Sequence, residues 1–283
     1  MNHASPRNRR QRWTTVLFAA IALLASAAAW MTCGGSARPN HAVRDAHLAR
    51  VVAAMYVPTG APRALVVFFG NDIGFWQPHR ELAGDLAADG YAVVGVDIRP
   101  LFASLPARLP ARDSACAAAI ADLVARSRRE LSIADAPLVI AGHSLGAELA
   151  LWTGAHVALP RMAGIVALSP GSRSHLDVSA SDLLQREPTG PESFAVAEVM
   201  RVLRDRATTV AIVRGAHDRF GSADSALLAN GGPHTRRFEI ALAGHSLRHL
   251  TLARPVIEDA LSWVLAGGGV EDRAAAQARL SAP

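Results

Sequence analysis

The sequence predicts an α/β fold with a mostly parallel central sheet. Three observations carry that prediction. Short, continuous apolar runs recur, each of strand length, as strands covered on both faces require. Stretches with helical spacing separate those runs. The alternation is regular and breaks only once, between Ser169 and Ala207.

His47–Val57 reads as the first strand. Ala64–Gly70, Ala-Leu-Val-Val-Phe-Phe-Gly, is a buried strand that ends in glycine. Trp76–Ala88 has Leu82, Leu86 and Ala87 at helical spacing, and Asp89-Gly90 stops it. Tyr91–Ile98 is a second buried strand, Arg112–Glu130 a helix, and Pro137–Ala141 a third buried strand. Glu148–Val157 is helical and Gly164–Leu168 is the fourth strand. Thr208–Val213 is the fifth, Arg236–Leu242 the sixth, and Pro255–Leu265 the final helix. The break, residues 169–207, holds Ser/Asp/Pro-rich stretches and an amphipathic piece, Phe194–Leu203, as a lid or binding segment would. Residues 34–46 read as a linker, 47–266 as one domain, and 267–283 as a frayed tail.

With 283 residues, 51% of them hydrophobic, the chain has ample material for a core, and low-complexity disorder is excluded. The formal net charge is +5, and every basic residue is arginine. Arg7, Arg9, Arg10 and Arg12 precede the first acid, Asp45, so without them the balance is +1. No basic stripe is left for the folded domain, and no nucleic-acid partner is expected.

The basic start is followed by an uncharged apolar run, Trp13–Cys33, about 20 residues long and so close to the span of a bilayer. A basic then apolar leader is an export signal. Ala25-Ser26-Ala27 offers a cleavage site. An uncleaved anchor, giving membrane association, and a lipoprotein through Cys33 are the alternatives. The expected location is therefore the periplasm or the periplasmic face of the inner membrane. The other cysteine, Cys116, lies in an Ala-rich helical stretch and reads as a small apolar packing residue. No metal or redox motif is present, and no cofactor is expected.

The strand Pro137–Ala141 runs straight into Gly142-His143-Ser144-Leu145-Gly146, and a helix follows. G-x-S-x-G between a buried strand and a helix is the setting of a nucleophile elbow. Gly142 and Gly146 let backbone segments approach closely, and the turn lifts Ser144 Oγ above the sheet edge. A hydroxyl needs a base, and the base needs an orienting carboxylate. In that chain order His245 follows the last strand in Ala243-Gly244-His245-Ser246, while His217, His234 and His249 are the weaker candidates. Asp218, in the loop leaving the fifth strand, is the acid. Asp177 and Asp182 lie inside the insertion, Asp224 reads as a helix cap, and Asp97 looks structural. The oxyanion donors expected are the backbone N–H groups of Leu145 and of Asn71, in the loop Gly70–Trp76. Asp72 in the same loop reads as a cap for the next helix or as a contact for a cationic substrate group. Glu187, Glu192 and Glu198 in the insertion are further candidates for such a group.

Together these residues resemble the α/β-hydrolase superfamily over about residues 47–266. Within it the chain resembles the VirJ/AcvB family of exported bacterial proteins. That family has a Gly/Asp-rich loop ending in Trp after its first buried strand; Gly70-Asn71-Asp72-Ile73-Gly74-Phe75-Trp76 is similar but longer. Its elbow commonly reads G-Y-S-F-G-A-D, against Gly142-His143-Ser144-Leu145-Gly146-Ala147-Glu148 here. Its next strand leads into a serine-containing stretch with an Asp, to which Ser169–Asp182 is similar. Its base lies in a Gly-Gly-His-His loop, of which Gly244-His245 keeps one histidine. The resemblance implies an α/β-hydrolase fold and an exported serine hydrolase acting on a small-molecule or lipid ester. In that family the activity is linked to hydrolysis of aminoacylated phosphatidylglycerol, chiefly the lysyl form, and to virulence. A general carboxylesterase, lipase or thioesterase and a non-catalytic binding protein are the alternatives.

Overall fold

The computed structural model describes residues 38–269 except Gln185, Arg248, His249 and Thr251. The leader with its cleavage, anchor and Cys33 readings, the candidate His249 and the tail beyond Gly269 lie outside the described residues.

Seven strands form the central sheet: β1 (Val52–Tyr56), β2 (Ala64–Phe69), β3 (Tyr91–Val96), β4 (Leu138–His143), β5 (Met162–Leu168), β6 (Val210–Gly215) and β7 (Thr235–Ile240). Their spatial order is β1-β3-β2-β4-β5-β6-β7. β1 runs antiparallel to β3 and every other pairing is parallel. β2, β3 and β4 are buried at every position because helices cover both faces.

The pleat sends alternate side chains of β2 to opposite cores. Leu65, Val67 and Phe69 join one core with the helices α3 (Ala111–Glu130), α4 (Leu145–His156) and α6 (Val196–Asp205). Ala64, Val66 and Phe68 join the other with α1 (Gln77–Ala88) and α8 (Arg254–Leu265). Cys116 is buried in the first core, and burial pushes its thiol up to about 12, so it packs as an apolar group.

Several elements differ from expectation. The stretch His47–Val57 is not one strand: Leu48–Arg50 is a short 3₁₀ turn that buries Leu48, and only Val52–Tyr56 pairs. β3 ends at Val96, because Asp97 accepts the Arg99 N–H and caps a short helix, α2 (Ile98–Ala103). A six-residue helix has too little periodicity to be seen in sequence. β7 is the sheet edge, and Arg236, Arg237 and Glu239 keep it open to solvent rather than buried. Residues 40–45 are docked: the Asn40 side chain exchanges two hydrogen bonds of 2.8 Å with the Val57 backbone, and the Arg44 N–H donates to Glu130 at 2.9 Å.

The insertion folds on the domain rather than looping free. A two-residue ribbon pairs Arg173–Ser174 with Phe194–Ala195, and between them lies α5 (Ala180–Leu183). α6 follows at once and buries Val196, Val199, Met200 and Leu203. Buried Arg112 of α3 holds the insertion by donating to the Leu176 carbonyl at 2.7 Å and pairing with Asp177 at 3.2 Å. α7 (Asp224–Gly231) lies between β6 and β7 in the chain. Among the described residues no helix is long and apolar enough to cross a membrane.

Candidate active site

Parallel strands bring their carboxyl ends to one edge, so the loops after β2, β4, β6 and β7 converge there. Ser144 follows β4 directly, and it is the N-cap of α4 with φ 54° and ψ −123°. A non-glycine residue at this φ is strained, and the surroundings hold it there. Its N–H donates to the Leu168 carbonyl of β5 at 2.9 Å. A Cβ on Gly142 would sit 2.0 Å from the Gly146 oxygen, and one on Gly146 would sit 2.1 Å from the Gly70 oxygen. The two glycines therefore allow the turn and press the first turn of α4 against the end of β2.

Ser144 Oγ lies 3.0 Å from His245 Nε2. His245 Nδ1 lies 3.2 Å from Asp218 Oδ1. The three predicted residues thus come together from β4, the loop after β6 and the loop after β7. The rings of Phe220 and His245 stand edge to face with centroids 4.7 Å apart. His217 is exposed. His234 sits in a 3₁₀ turn before β7, at the opposite edge of the sheet.

Asp218 is held from two further sides. Its Oδ1 accepts the Phe220 N–H at 2.9 Å, and its Oδ2 accepts Arg214 Nη1–H at 2.7 Å. Burial alone would raise its pKa; the hydrogen bonds from His245 and Arg214 outweigh that and hold it well below the usual carboxylate range. Arg214 is fully buried at the end of β6. It also donates to Asp224 Oδ1 at 2.6 Å and to the Pro170 carbonyl at 2.6 Å. Asp224 is therefore not the cap that its position indicated. It is a buried partner of Arg214, and Arg237 pairs with it at 2.9 Å. Neither arginine could be placed from sequence, where Arg214 looks like an ordinary strand end.

Leu145 is the first residue of α4, so its N–H has no acceptor within the helix. Asn71 is buried, and its carbonyl accepts the Gly74 N–H at 2.8 Å, which closes the loop after β2. The contact of Gly146 with Gly70 sets that loop beside the first turn of α4. His143, between Gly142 and the serine, is buried and turned away from solvent.

Asp72 is half-buried and does not cap α1, whose N-cap residue, Trp76, makes no side-chain cap bond. Burial raises its pKa, the charge of Asp182 raises it further, and His245 opposes both. Asp182 is fixed by His175 at 2.9 Å and by the Ser179 hydroxyl at 2.7 Å. The insertion glutamates have other partners. Glu187 accepts from Ser172, whereas Glu192 and Glu198 line a cavity of about 370 Å³ with Trp152, His156 and Phe194, which no triad residue touches.

Glu148, one turn beyond Ser144, is buried and accepts the Gly171 N–H at 2.7 Å. Burial raises its pKa to about 7, partly offset by the hydrogen bond from the Gly171 N–H. Among the described residues no group of three or more His, Cys, Asp or Glu side chains is arranged to hold a metal ion.

No family model matches the chain, and comparison with curated proteins finds no significant match. Solved structures do match. Esterase 2 of Thermogutta terrifontis is 19% identical, with a TM-score of 0.51, over 76% of this chain and 89% of that one. A soluble variant of Saccharomyces cerevisiae monoglyceride lipase is 12% identical, with a TM-score of 0.52, over 76% and 90%. The esterase domain of a Rhodothermus marinus protein is 17% identical, with a TM-score of 0.50, over 75% and 90%. The strand order, the single antiparallel strand, the strained turn after β4 and these likenesses agree: the chain has the α/β-hydrolase fold.

Proposed function

We propose that the protein is a serine hydrolase that cleaves ester bonds through an acyl-enzyme on Ser144. One observation carries this reading: Ser144 Oγ, His245 and Asp218 form a hydrogen-bonded line of 3.0 and 3.2 Å that ends on a strained serine. Ionised Asp218 only accepts, so His245 carries its proton on Nδ1 and leaves Nε2 free to take the Ser144 proton. Ser144 Oγ then attacks the ester carbon, and the N–H groups of Leu145 and Asn71 face the oxygen that gains charge. The C–O bond breaks, His245 gives its proton to the leaving alkoxide, and the acyl group stays on Ser144. Water enters, His245 takes its proton, and collapse frees the acid and restores Ser144.

The finer reading is a lipid ester with a cationic headgroup, of the aminoacyl-phospholipid kind, met by an exported enzyme. The basic and apolar leader supports export and membrane association. The connections after β2, β5 and β7 support the lipid: Ile73, Trp76, Leu242 and Leu252 in loops and Leu183 and Leu184 at the end of α5 are exposed. Large apolar groups gathered at one edge mark a surface for lipid or another apolar partner. Asp72 and Asp182 supply the negative charge. A non-catalytic binding protein would have no use for the strained serine. The test is fluorophosphonate labelling of wild type and Ser144→Ala, followed by hydrolysis of neutral short-chain esters and lysyl-phosphatidylglycerol. Absence of labelling in folded wild type removes the hydrolase reading. Labelling with no preference for the aminoacyl-lipid leaves a general esterase.

A further inference from the structure

Two imidazoles at the site have no part in the chemistry above. His79 of α1 and His143 at the end of β4 are 0% and 2% exposed. His143 Nε2 lies 3.2 Å from the carbonyl oxygen of His245, and His79 Nε2 lies 3.0 Å from His143 Nδ1. Among the described residues His79 Nδ1 has no partner in hydrogen-bond geometry, so these two contacts set the protons. A carbonyl oxygen only accepts, so His143 carries its hydrogen on Nε2. Its Nδ1 is then a bare lone pair and accepts His79 Nε2–H. Both rings are neutral, and burial holds His143 at about 4 and His79 well below the usual histidine range.

The pair is also mechanically fixed. The His79 ring stands 5.4 Å from Phe68, 5.3 Å from Phe75 and 6.1 Å from Trp76. The His143 ring is 5.3 Å from His79 and 6.3 Å from His245. The loop that carries His245 has few ties of its own. His217 N–H donates to the Ala243 carbonyl at 2.8 Å and Leu247 N–H to the Gly244 carbonyl at 3.1 Å. Among the described residues, the bond that reaches the His245 backbone itself is the one from His143. An apolar side chain would fill the same space without the burden of two desolvated rings.

We propose that His143 is a positioning residue: its Nε2–H, set by the bond from His79, holds the His245 carbonyl and thereby aims His245 Nε2 at Ser144 Oγ. The proposal rests on His245 being the base. It gives the elbow a second task, since the residue before the nucleophile fixes the base that activates it.

The test compares His143→Leu with His143→Gln and His79→Phe with His79→Gln on a soluble short-chain ester. The glutamines can place an amide N–H where the imidazole N–H was. His143→Leu is expected to lower kcat by about 10- to 100-fold with KM unchanged, since a small misplacement of a reacting group has that effect. His143→Gln is expected to recover a large part of the loss, and His79→Phe to lose less than His143→Leu. A folded His143→Leu with wild-type kcat, or equal losses in Leu and Gln variants of matched thermal stability, overturns the proposal. Long-range ¹H–¹⁵N spectra of wild type decide it even if a variant fails to fold. His143 is expected as the neutral Nε2–H form, and the Nδ1–H form overturns the proposal. Lack of fluorophosphonate labelling in wild type, by contrast, sinks the hydrolase reading and leaves the tautomer result standing.

Discussion

Arg214 and Asp218 form an ion pair of 2.7 Å in which neither side chain reaches solvent. The same guanidinium holds Asp224 at 2.6 Å, so one planar fork spans two carboxylates, of which Asp218 orients the base. Lysine keeps the charge but cannot serve both. Arg214→Lys is expected to fold with a loss of about 2 kcal/mol and a several-fold lower kcat. Arg214→Met removes the cation shared by two buried carboxylates and leaves Asp224 with Arg237 alone and Asp218 with His245 and the Phe220 N–H; it is expected to lose about 3 kcal/mol. The pH dependence has a definite sign. Asp218 has a depressed pKa, so its stabilisation is present above the unfolded value near 3.8 and is lost as pH falls through the lower folded value. The stability gap between wild type and Arg214→Lys is therefore expected to narrow below about pH 3.8, as denaturant titrations across the acid range will show. A gap independent of pH would mean that Arg214 acts only by filling space.

Glu148 has the opposite sign. Its folded pKa, about 7, lies above the ordinary 4.5, so the folded state binds the proton more tightly. Stability then falls as pH rises between those values and is flat outside them. The span corresponds to about 3 kcal/mol. Glu148→Gln keeps an acceptor for the Gly171 N–H and has no charge to bury. It is expected to match or exceed wild type at pH 8, and the stability difference between the two is expected to shift by about 3 kcal/mol in the variant's favour as pH rises from about 4.5 to 7, as read by thermal denaturation. A difference that does not change with pH would assign the titration to another group.

Ser144, Asp218 and His245 were legible in the sequence because each belongs to a local pattern. A buried apolar run leads into each of their loops, and G-x-S-x-G limits the first to one turn. The sheet was legible for the same reason, since β2, β3 and β4 are buried along their whole length. The features without such a pattern depend on contacts distant in the chain or on short elements. His79 reads as an ordinary helix residue, and its partner His143 is 64 positions away. Arg214 is a single charge closing an apolar strand, with an acid four residues on as the available signal, and the sequence shows that Asp224 starts a helix but not that it is buried. Charge alone makes Glu187, Glu192 and Glu198 candidates for a cationic group, and only packing shows that Glu187 turns toward Ser172.

The strain at Ser144 makes a prediction separable from chemistry. Ser144→Ala and Ser144→Gly both remove the nucleophile, and both are expected to lower kcat on the order of 10⁶-fold. They differ in backbone, because alanine keeps the unfavourable φ of 54° and glycine does not. Ser144→Gly is therefore expected to be about 1 kcal/mol more stable than Ser144→Ala, although glycine elsewhere at a helix start gives no such gain. Chemical denaturation of the two inactive proteins checks this. Equal stabilities would show that the turn relaxes when the hydroxyl is gone.

Gly146 tests whether the oxyanion loop depends on the elbow's backbone. A Cβ there would approach the Gly70 oxygen at 2.1 Å and the Phe69 oxygen at 2.5 Å, both main-chain atoms at the end of a fully buried strand. Such atoms cannot swing aside as a side chain would, so relief requires α4 or the Gly70–Asn71 turn to move. Gly146→Ala is expected to lose about 3 kcal/mol or more. The same displacement separates Asn71 from Leu145, so labelling of Ser144 by fluorophosphonate is expected to slow by far more than the stability loss explains at a temperature where the variant is folded. Gly221, where a Cβ meets nothing within 4 Å, is the control, and Gly221→Ala is expected to leave labelling unchanged. If Gly146→Ala labels at the wild-type rate, the second oxyanion donor does not come from the loop after β2, and Asn71 loses that role.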